Sequence, residues 1–289
     1  VESVPADSIV VAENLMPSEA MLLFRKKIKA LVLQEGGVSS HISILARTYG
    51  IPAVFGVENP TSVIETDNII VVDATKSLVI VEPDKSIRTD YQTKQENAEK
   101  RLKELAQFVS QKAQTKDGVP IMIYANIGTV EDAYLAKDEG AEGIGLFRTE
   151  FMFMEAAEKN TLLDEEEQFE AYKNVLQIME GKSVTIRTLD AGGDKIIDLK
   201  GMPGIEEKNP LLGWRAIRFT LDNTELFKTQ LRSLYRASAF GNLKIMIPLI
   251  SGYEQVQAVL SIVEEVKQEL SEDNVTFNPK VPLGIMIET

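Results

Sequence analysis

Residues 143–150 read GIGLFRTE: Gly143-Ile144-Gly145-Leu146-Phe147, then Arg148, Thr149 and Glu150. A short apolar run that breaks off into an arginine and a carboxylate has the form of a buried strand with polar residues just past its C-terminal end. The pattern recurs on both sides. Apolar runs at 121–125 (IMIYA), 184–188 (VTIRT), 244–248 (KIMIP) and 283–287 (LGIMI) alternate with helical patterns at 130–139, 165–179, 225–238 and 255–270. Strands alternating with helices imply βαβ units and a parallel sheet. Polar residues gather at one end of these runs: Asn126, then Arg148 and Glu150, then Arg187 and Asp190, and last Glu288. In a (β/α)8 barrel that end carries the active site, and in a doubly wound sheet the ligand also sits beyond the strand C-termini. Position identifies the functional side and leaves the choice of fold open.

Two arginines on neighbouring strand ends can grip one phosphate or carboxylate through paired N–H donors, and Arg148 and Arg187 are that pair. Glu288 follows a wholly apolar strand, where it can offer an oxygen to a divalent cation such as Mg2+ or pair with an arginine. The loop Asp190-Ala191-Gly192-Gly193-Asp194-Lys195 could wrap a phosphate with backbone amides.

Toward the N-terminus the runs shorten. Residues 8–13 (SIVVAE), 28–34 (IKALVLQ), 68–73 (NIIVVD) and 78–82 (LVIVE) are strand-like, with a helix over 18–25 opened by Pro17-Ser18. Residues 1–86 therefore read as a small α/β unit. From Ile87 to Lys112 the chain is rich in Lys, Glu and Gln, with Ile87, Tyr91, Ala98, Leu102, Leu105 and Val109 at helical spacing, as in a solvated helix joining two bodies. Within the first unit lies GGVSSHISILAR, residues 36–47, which holds the chain's single histidine, His41. Ser39 or Ser40 supplies an N-cap hydroxyl, which puts His41 in the first helical turn. Free backbone N–H groups and the helix dipole favour an anion there, so an imidazole that accepts a phosphoryl group would be well placed. The alternative is a histidine near a helix cap with no chemical role.

Bulk composition narrows the classes. A hydrophobic fraction of 44% and a charged fraction of 26% are those of a globular protein, and the net charge of −13 speaks against a nucleic-acid binder. No apolar run approaches the ~20 residues of a membrane span. Zero cysteines exclude disulfides and cysteine–zinc sites and fit a reducing compartment such as the cytoplasm. The chain opens on Val1 and stops at Thr289 directly after an apolar run, so both ends are expected to be cut.

These motifs resemble a known family. GGVSSHISILARTYGIPAVFG (36–56) is similar to the phosphohistidine segment of phosphoenolpyruvate-utilising enzymes. Residues 125–154 (ANIGTVEDAYLAKDEGAEGIGLFRTEFMFM), RTLDAGGDK, NPLLGWRAIRFTLD, ASAFGNLKIMIPLI and GIMIET resemble the barrel of Enzyme I of the bacterial sugar phosphotransferase system, the phosphoenolpyruvate-protein phosphotransferases. The resemblance covers nearly the whole chain. It implies a swivelling phosphohistidine domain at 1–86, incomplete at its N-terminus, and a helical linker at 87–116. The rest, 117–289, would be a phosphoenolpyruvate-binding (β/α)8 barrel running through its fifth strand. It further implies that His41 is phosphorylated, that Arg148 and Arg187 bind the substrate, and that Glu288 ligates Mg2+. The implied reaction moves the phosphoryl group of phosphoenolpyruvate to His41 and on to the carrier protein HPr, the first step of sugar uptake. Dimerisation through the complete barrel is implied as well, with neither nucleic-acid binding nor membrane insertion. An HPr-docking domain would precede this stretch. Strands six to eight would follow it, bringing an Asn-Asp pair, a third substrate arginine and a cysteine proton donor. Residues 1–289 alone are therefore expected to be inactive. Val38 and Ser39 stand where the family often has Arg and usually Thr; Ser39 keeps the hydroxyl. Pyruvate phosphate dikinase and phosphoenolpyruvate synthase share the swivel-and-barrel plan but match less well in GLFRTEFMFM and GWRAIR. A regulatory, non-catalytic relative would have no need to keep His41, Arg148, Arg187 and Glu288.

Overall fold

The computed structural model of the protein describes residues 4–37, 40–109, 111–158, 161–192 and 213–289. Val38, Ser39, residues 193–195 of the glycine loop and residues 209–212 of the tryptophan motif lie outside them. The chain falls into two compact units, residues 1–108 and 109–289.

In the first unit, β1 (Ile9–Ala12), α1 (Pro17–Arg25), β2 (Ala30–Leu33), α2 (His41–Thr48) and β3 (Ala53–Val54) form a parallel sheet of order β1-β2-β3 with two helices. The run Ala30-Leu31-Val32-Leu33 has no polar face, and as the central strand it is buried throughout. Leu23 and Phe24 of α1 and Leu45 and Ala46 of α2 are buried. After α3 (Pro60–Val63), strands β4 (Ile70–Asp73) and β5 (Leu78–Val81) pair as an antiparallel hairpin. Helix α4 (Lys85–Ala106) begins two residues before the apolar spacing suggests, because Asp84 caps it by accepting the Ile87 N–H at 2.9 Å. None of its side chains is buried. Its first turns are tied to the hairpin by Tyr91, whose hydroxyl donates to Asp73 at 3.0 Å.

In the second unit one or two helices separate each strand from the next: β6 (Ala125–Ile127), α5 (Val130–Asp138), β7 (Gly143–Arg148), α6 (Glu150–Glu158), α7 (Glu165–Ile178), β8 (Ser183–Arg187), α8 (Ile217–Asp222), α9 (Thr224–Ala237), β9 (Asn242–Ile247), α10 (Tyr253–Glu272) and β10 (Leu283–Ile285). The five strands are parallel and stand in chain order, β6 to β10. A doubly wound sheet reverses direction at its switch point, whereas a barrel wall grows one way. The strand order thus resolves what the sequence left open, in favour of a (β/α) barrel wall of five strands. Ile127, Phe147, Ile186 and Ile245 are successive register partners, all buried beneath the helices. Asn126, Leu146, Thr185 and Lys244 alternate with them and are less buried.

One strand lies later than its apolar pattern suggests. Residues 121–124 precede β6, and Ile121, Met122, Ile123 and Tyr124 are exposed. Glu142 takes both backbone groups of Ile123: its carboxylate accepts the N–H at 2.7 Å, and its own N–H donates to the Ile123 carbonyl at 2.9 Å. Ladder pairing begins at Ala125, with a register shift before Asn126, so Asn126 lies within the strand rather than after it. No described helix is long and apolar enough to cross a membrane.

Candidate functional site

Strands β7 and β8 end in arginines that are register partners, Arg148 opposite Arg187. The pair one residue earlier, Phe147 and Ile186, is buried against the helices, so both arginines take the opposite face. Arg187 is buried, and its Nη2 donates to Glu150 Oε1 at 2.5 Å and lies 3.2 Å from Asp190 Oδ2. Its Nη1 reaches Met286 Sδ, just past β10, at 3.5 Å. The other oxygen of Asp190 accepts from Arg215 Nη2 at 2.7 Å and Nε at 3.2 Å. Glu150, Arg187, Asp190 and Arg215 thus form one buried chain of alternating charge. Alternation is what makes such burial tolerable, since each desolvated charge has an opposite neighbour. Arg187 Nε is buried without a hydrogen-bond partner among the described residues. Arg148 is half-buried and makes no ion pair or side-chain hydrogen bond among them. Among the described residues, three guanidiniums, those of Arg148, Arg187 and Arg215, thus gather with the carboxylates of Glu150 and Asp190, in a chain whose net charge is −13.

Arg215 was invisible as a site residue in the sequence, because its loop has no periodicity to place it. Its backbone is tightly confined. Gly192 has φ +120°, and a Cβ there would lie 2.6 Å from Arg215 Cβ. The next residue, Ala216, sits at φ 50°, ψ −126°, with its N–H bound to the Ala191 carbonyl at 2.9 Å. Strain of this kind collects at functional positions.

Glu288 is exposed, and its Oε1 accepts the N–H of Leu249 at 2.8 Å. Leu249 is itself in the left-handed region, φ 55°, just after β9. The carboxylate is therefore oriented by the backbone with its second oxygen still to use. Among the described residues no group of three or more His, Cys, Asp or Glu could hold a metal. Magnesium usually takes one or two carboxylates and completes its shell with water and substrate phosphate, so one anchored glutamate suits a site that the substrate finishes.

In the first unit, Ser40 is the N-cap of α2: its Oγ accepts the Ser43 N–H at 3.2 Å, and Ser43 Oγ donates to the Ser40 carbonyl at 2.8 Å. His41 is the first helical residue, where backbone N–H groups have no intrahelical acceptor. Gly36 before it has φ +102°, and a Cβ would come within 3.0 Å of the Phe55 ring.

Residues 102–289 match the family model for the phosphoenolpyruvate-binding domain of phosphoenolpyruvate-utilising enzymes. Residues 4–77 match that for their mobile domain. The chain belongs to the phosphoenolpyruvate-utilising enzymes. The phosphoenolpyruvate-protein phosphotransferase of Haemophilus influenzae is 40% identical over 283 residues, covering 98% of this chain and 48% of the relative. Those of Geobacillus stearothermophilus and Staphylococcus carnosus are each 41% identical over 280 residues, covering 97% of this chain and 48% of the relative. The chain spans about half the length of the curated relatives it matches. His41 lies in the stretch that matches the mobile-domain model, while Arg148, Arg187, Arg215 and Glu288 lie in the stretch that matches the phosphoenolpyruvate-binding-domain model.

Proposed function

We propose that the chain is part of a cytoplasmic phosphoenolpyruvate-protein phosphotransferase, which takes the phosphoryl group of phosphoenolpyruvate onto His41 and passes it to HPr at the start of sugar uptake. In this reading residues 1–86 swivel, 87–116 link, and 117–289 supply the substrate barrel, through which the complete protein dimerises. The observation that carries it is the register pairing of Arg148 with Arg187 on the face turned away from the helices. Two guanidiniums one strand apart suit a small polyanion. Arg187 is held by Glu150 and Asp190 before substrate arrives, which removes part of the cost of ordering it. Arg148 keeps its donors for the ligand.

In the transfer, an imidazole nitrogen lone pair attacks phosphorus while the bond from phosphorus to the enol oxygen breaks. The enolate then takes a proton at carbon 3 and leaves as pyruvate. The arginines stabilise charge spread over the phosphoryl oxygens. On His41 the new phosphate would sit beside the N-terminal amides of α2, where the dipole favours it. Glu288 would hold Mg2+, which when bound supplies charge neutralisation at the phosphate.

The test uses the full-length protein and labelled phosphoenolpyruvate. Acid-labile label should form and should vanish in His41→Ala. Label persisting in that variant places the acceptor elsewhere, and label taken from ATP instead points to a dikinase. EDTA should stop labelling by phosphoenolpyruvate and spare exchange with phospho-HPr.

A further inference from the structure

Gln230, on α9, has no exposed surface. A buried glutamine has one carbonyl oxygen and two N–H groups to satisfy. Its Oε1 accepts the backbone N–H of Leu189 at 2.9 Å. Its Nε2 donates to Thr149 Oγ1 at 3.3 Å and to the Tyr172 hydroxyl at 3.1 Å. Both hydroxyls have already used their single proton: Thr149 donates to the Arg187 carbonyl at 2.9 Å, and Tyr172 donates to Gln168 Oε1 at 3.2 Å. Gln168 in turn donates to the Leu163 carbonyl at 3.3 Å. Only one orientation of the Gln230 amide satisfies every partner, so the network has a fixed direction.

That network grips both ends of one tripeptide. Gln230 holds the Leu189 N–H directly and the Arg187 carbonyl through Thr149, while the Thr188 N–H between them is bound to the Met246 carbonyl at 2.9 Å. The side chain at one end is Arg187, and Asp190 follows immediately at the other. We propose that Gln230 is a positioning residue, which sets through the backbone where the Arg187 guanidinium and the Asp190 carboxylate stand and so tunes the anion site. The inference rests on reading Arg187 as a substrate arginine.

Three variants of the full-length protein test it: Gln230→Glu, Gln230→Met and Thr149→Val. Burial disfavours ionised glutamate, so a carboxyl at 230 titrates above the ordinary range. Protonated, it can accept from Leu189 and donate one hydrogen bond, much as glutamine does. Ionised, it has no donor, and Thr149 would turn its proton away from Arg187. Calorimetric titration with phosphoenolpyruvate should therefore show near-native affinity for Gln230→Glu at low pH. Affinity should fall about tenfold, roughly the worth of one hydrogen bond, as pH rises, through a step the unaltered protein lacks. Gln230→Met should be weak at every pH, and its Arg187 Nε–Hε NMR signal should move even without ligand. If Gln230→Met does not fold, Thr149→Val, which removes both hydrogen bonds joining Gln230 to the Arg187 carbonyl and spares those to Leu189 and Tyr172, decides by the same two readouts. Variants that melt earlier yet keep native affinity, a flat pH profile and an unmoved Arg187 signal would make Gln230 a packing residue only. Failure of the unaltered protein to bind phosphoenolpyruvate would instead sink the proposed function, and the Arg187 signal would still decide the positioning.

Discussion

Arg148 and Arg187 are register partners at the ends of adjacent strands, yet one guanidinium is locked between two carboxylates and the other is not. Truncating them should therefore fail in different ways. Arg187→Ala leaves Glu150 and Asp190 buried with one guanidinium fewer, and breaking a buried ion pair costs about 3–5 kcal/mol. Arg148→Ala removes a half-buried cation and should cost within about 0.5 kcal/mol. Both should weaken phosphoenolpyruvate binding. Urea unfolding followed at Trp214, the single tryptophan, beside a binding titration checks this. Equal destabilisation by the two variants would contradict the asymmetry.

Gly192→Ala should damage the site without touching a charge. The residue is at φ +120°, and a Cβ would stand 2.6 Å from Arg215 Cβ and 2.8 Å from its Cα. Backbone cannot yield as a side-chain tip can, and Ala216 next to it is already strained. Overpacking of this kind costs about 1–3 kcal/mol, and displacing Arg215 should also loosen Asp190. A variant with native stability and native affinity for phosphoenolpyruvate would show that the loop has slack that its contacts deny.

Much of this could be read from the sequence, and the reasons it stopped are physical. Strands β7, β8 and β10 were legible because apolar runs end in a sharp polar boundary, which also marked Arg148, Arg187 and Glu288. The run at 121–125 misled, since Ile123 is apolar but its backbone is taken by Glu142. Barrel winding needs the order of strands, which no local pattern encodes. Arg215 comes to Asp190 from a loop 25 residues along the chain, and nothing in GWRAIR announces that contact. Gln230 in an amphipathic helix looks like one more surface polar residue until its burial is known.

Ser40→Ala should fray the start of α2. It removes the acceptor of the Ser43 N–H, and loss of such a cap costs about 1 kcal/mol. Hydrogen exchange at the Ser43 amide should speed up about fivefold, that free energy expressed as an opening equilibrium. Ser40→Gly should exchange more nearly like the parent, since glycine is a tolerable cap. Labelling of His41 should slow in the alanine variant. An unchanged Ser43 exchange rate would show that another group caps the helix.

The Tyr172 hydroxyl gives the polar network a signature at high pH. Burial pushes its pKa far above the ordinary phenol value, and the hydrogen bond from Gln230 pulls it back only in part. The folded pKa is raised, so the stability this group contributes is fully present below the unfolded value of about 10. It is lost as pH rises through the folded value, because the unfolded chain releases the proton first. The loss has a slope of about 1.4 kcal/mol per pH unit. Tyr235 adds its own decline, its hydroxyl pushed up to about 12 by burial and then by the charge of Glu264. Tyr172→Phe strands the Gln230 N–H and the Gln168 oxygen, so at neutral pH it should cost about 1–3 kcal/mol. Above pH 10, however, the variant has one titration fewer, and its deficit against the parent should narrow at that same slope. Urea unfolding at Trp214 from pH 7 to about 11.5 measures the difference directly. A deficit that stays constant across the range would mean Tyr172 ionises in the folded protein as readily as in the unfolded chain, and the buried network is then open to water.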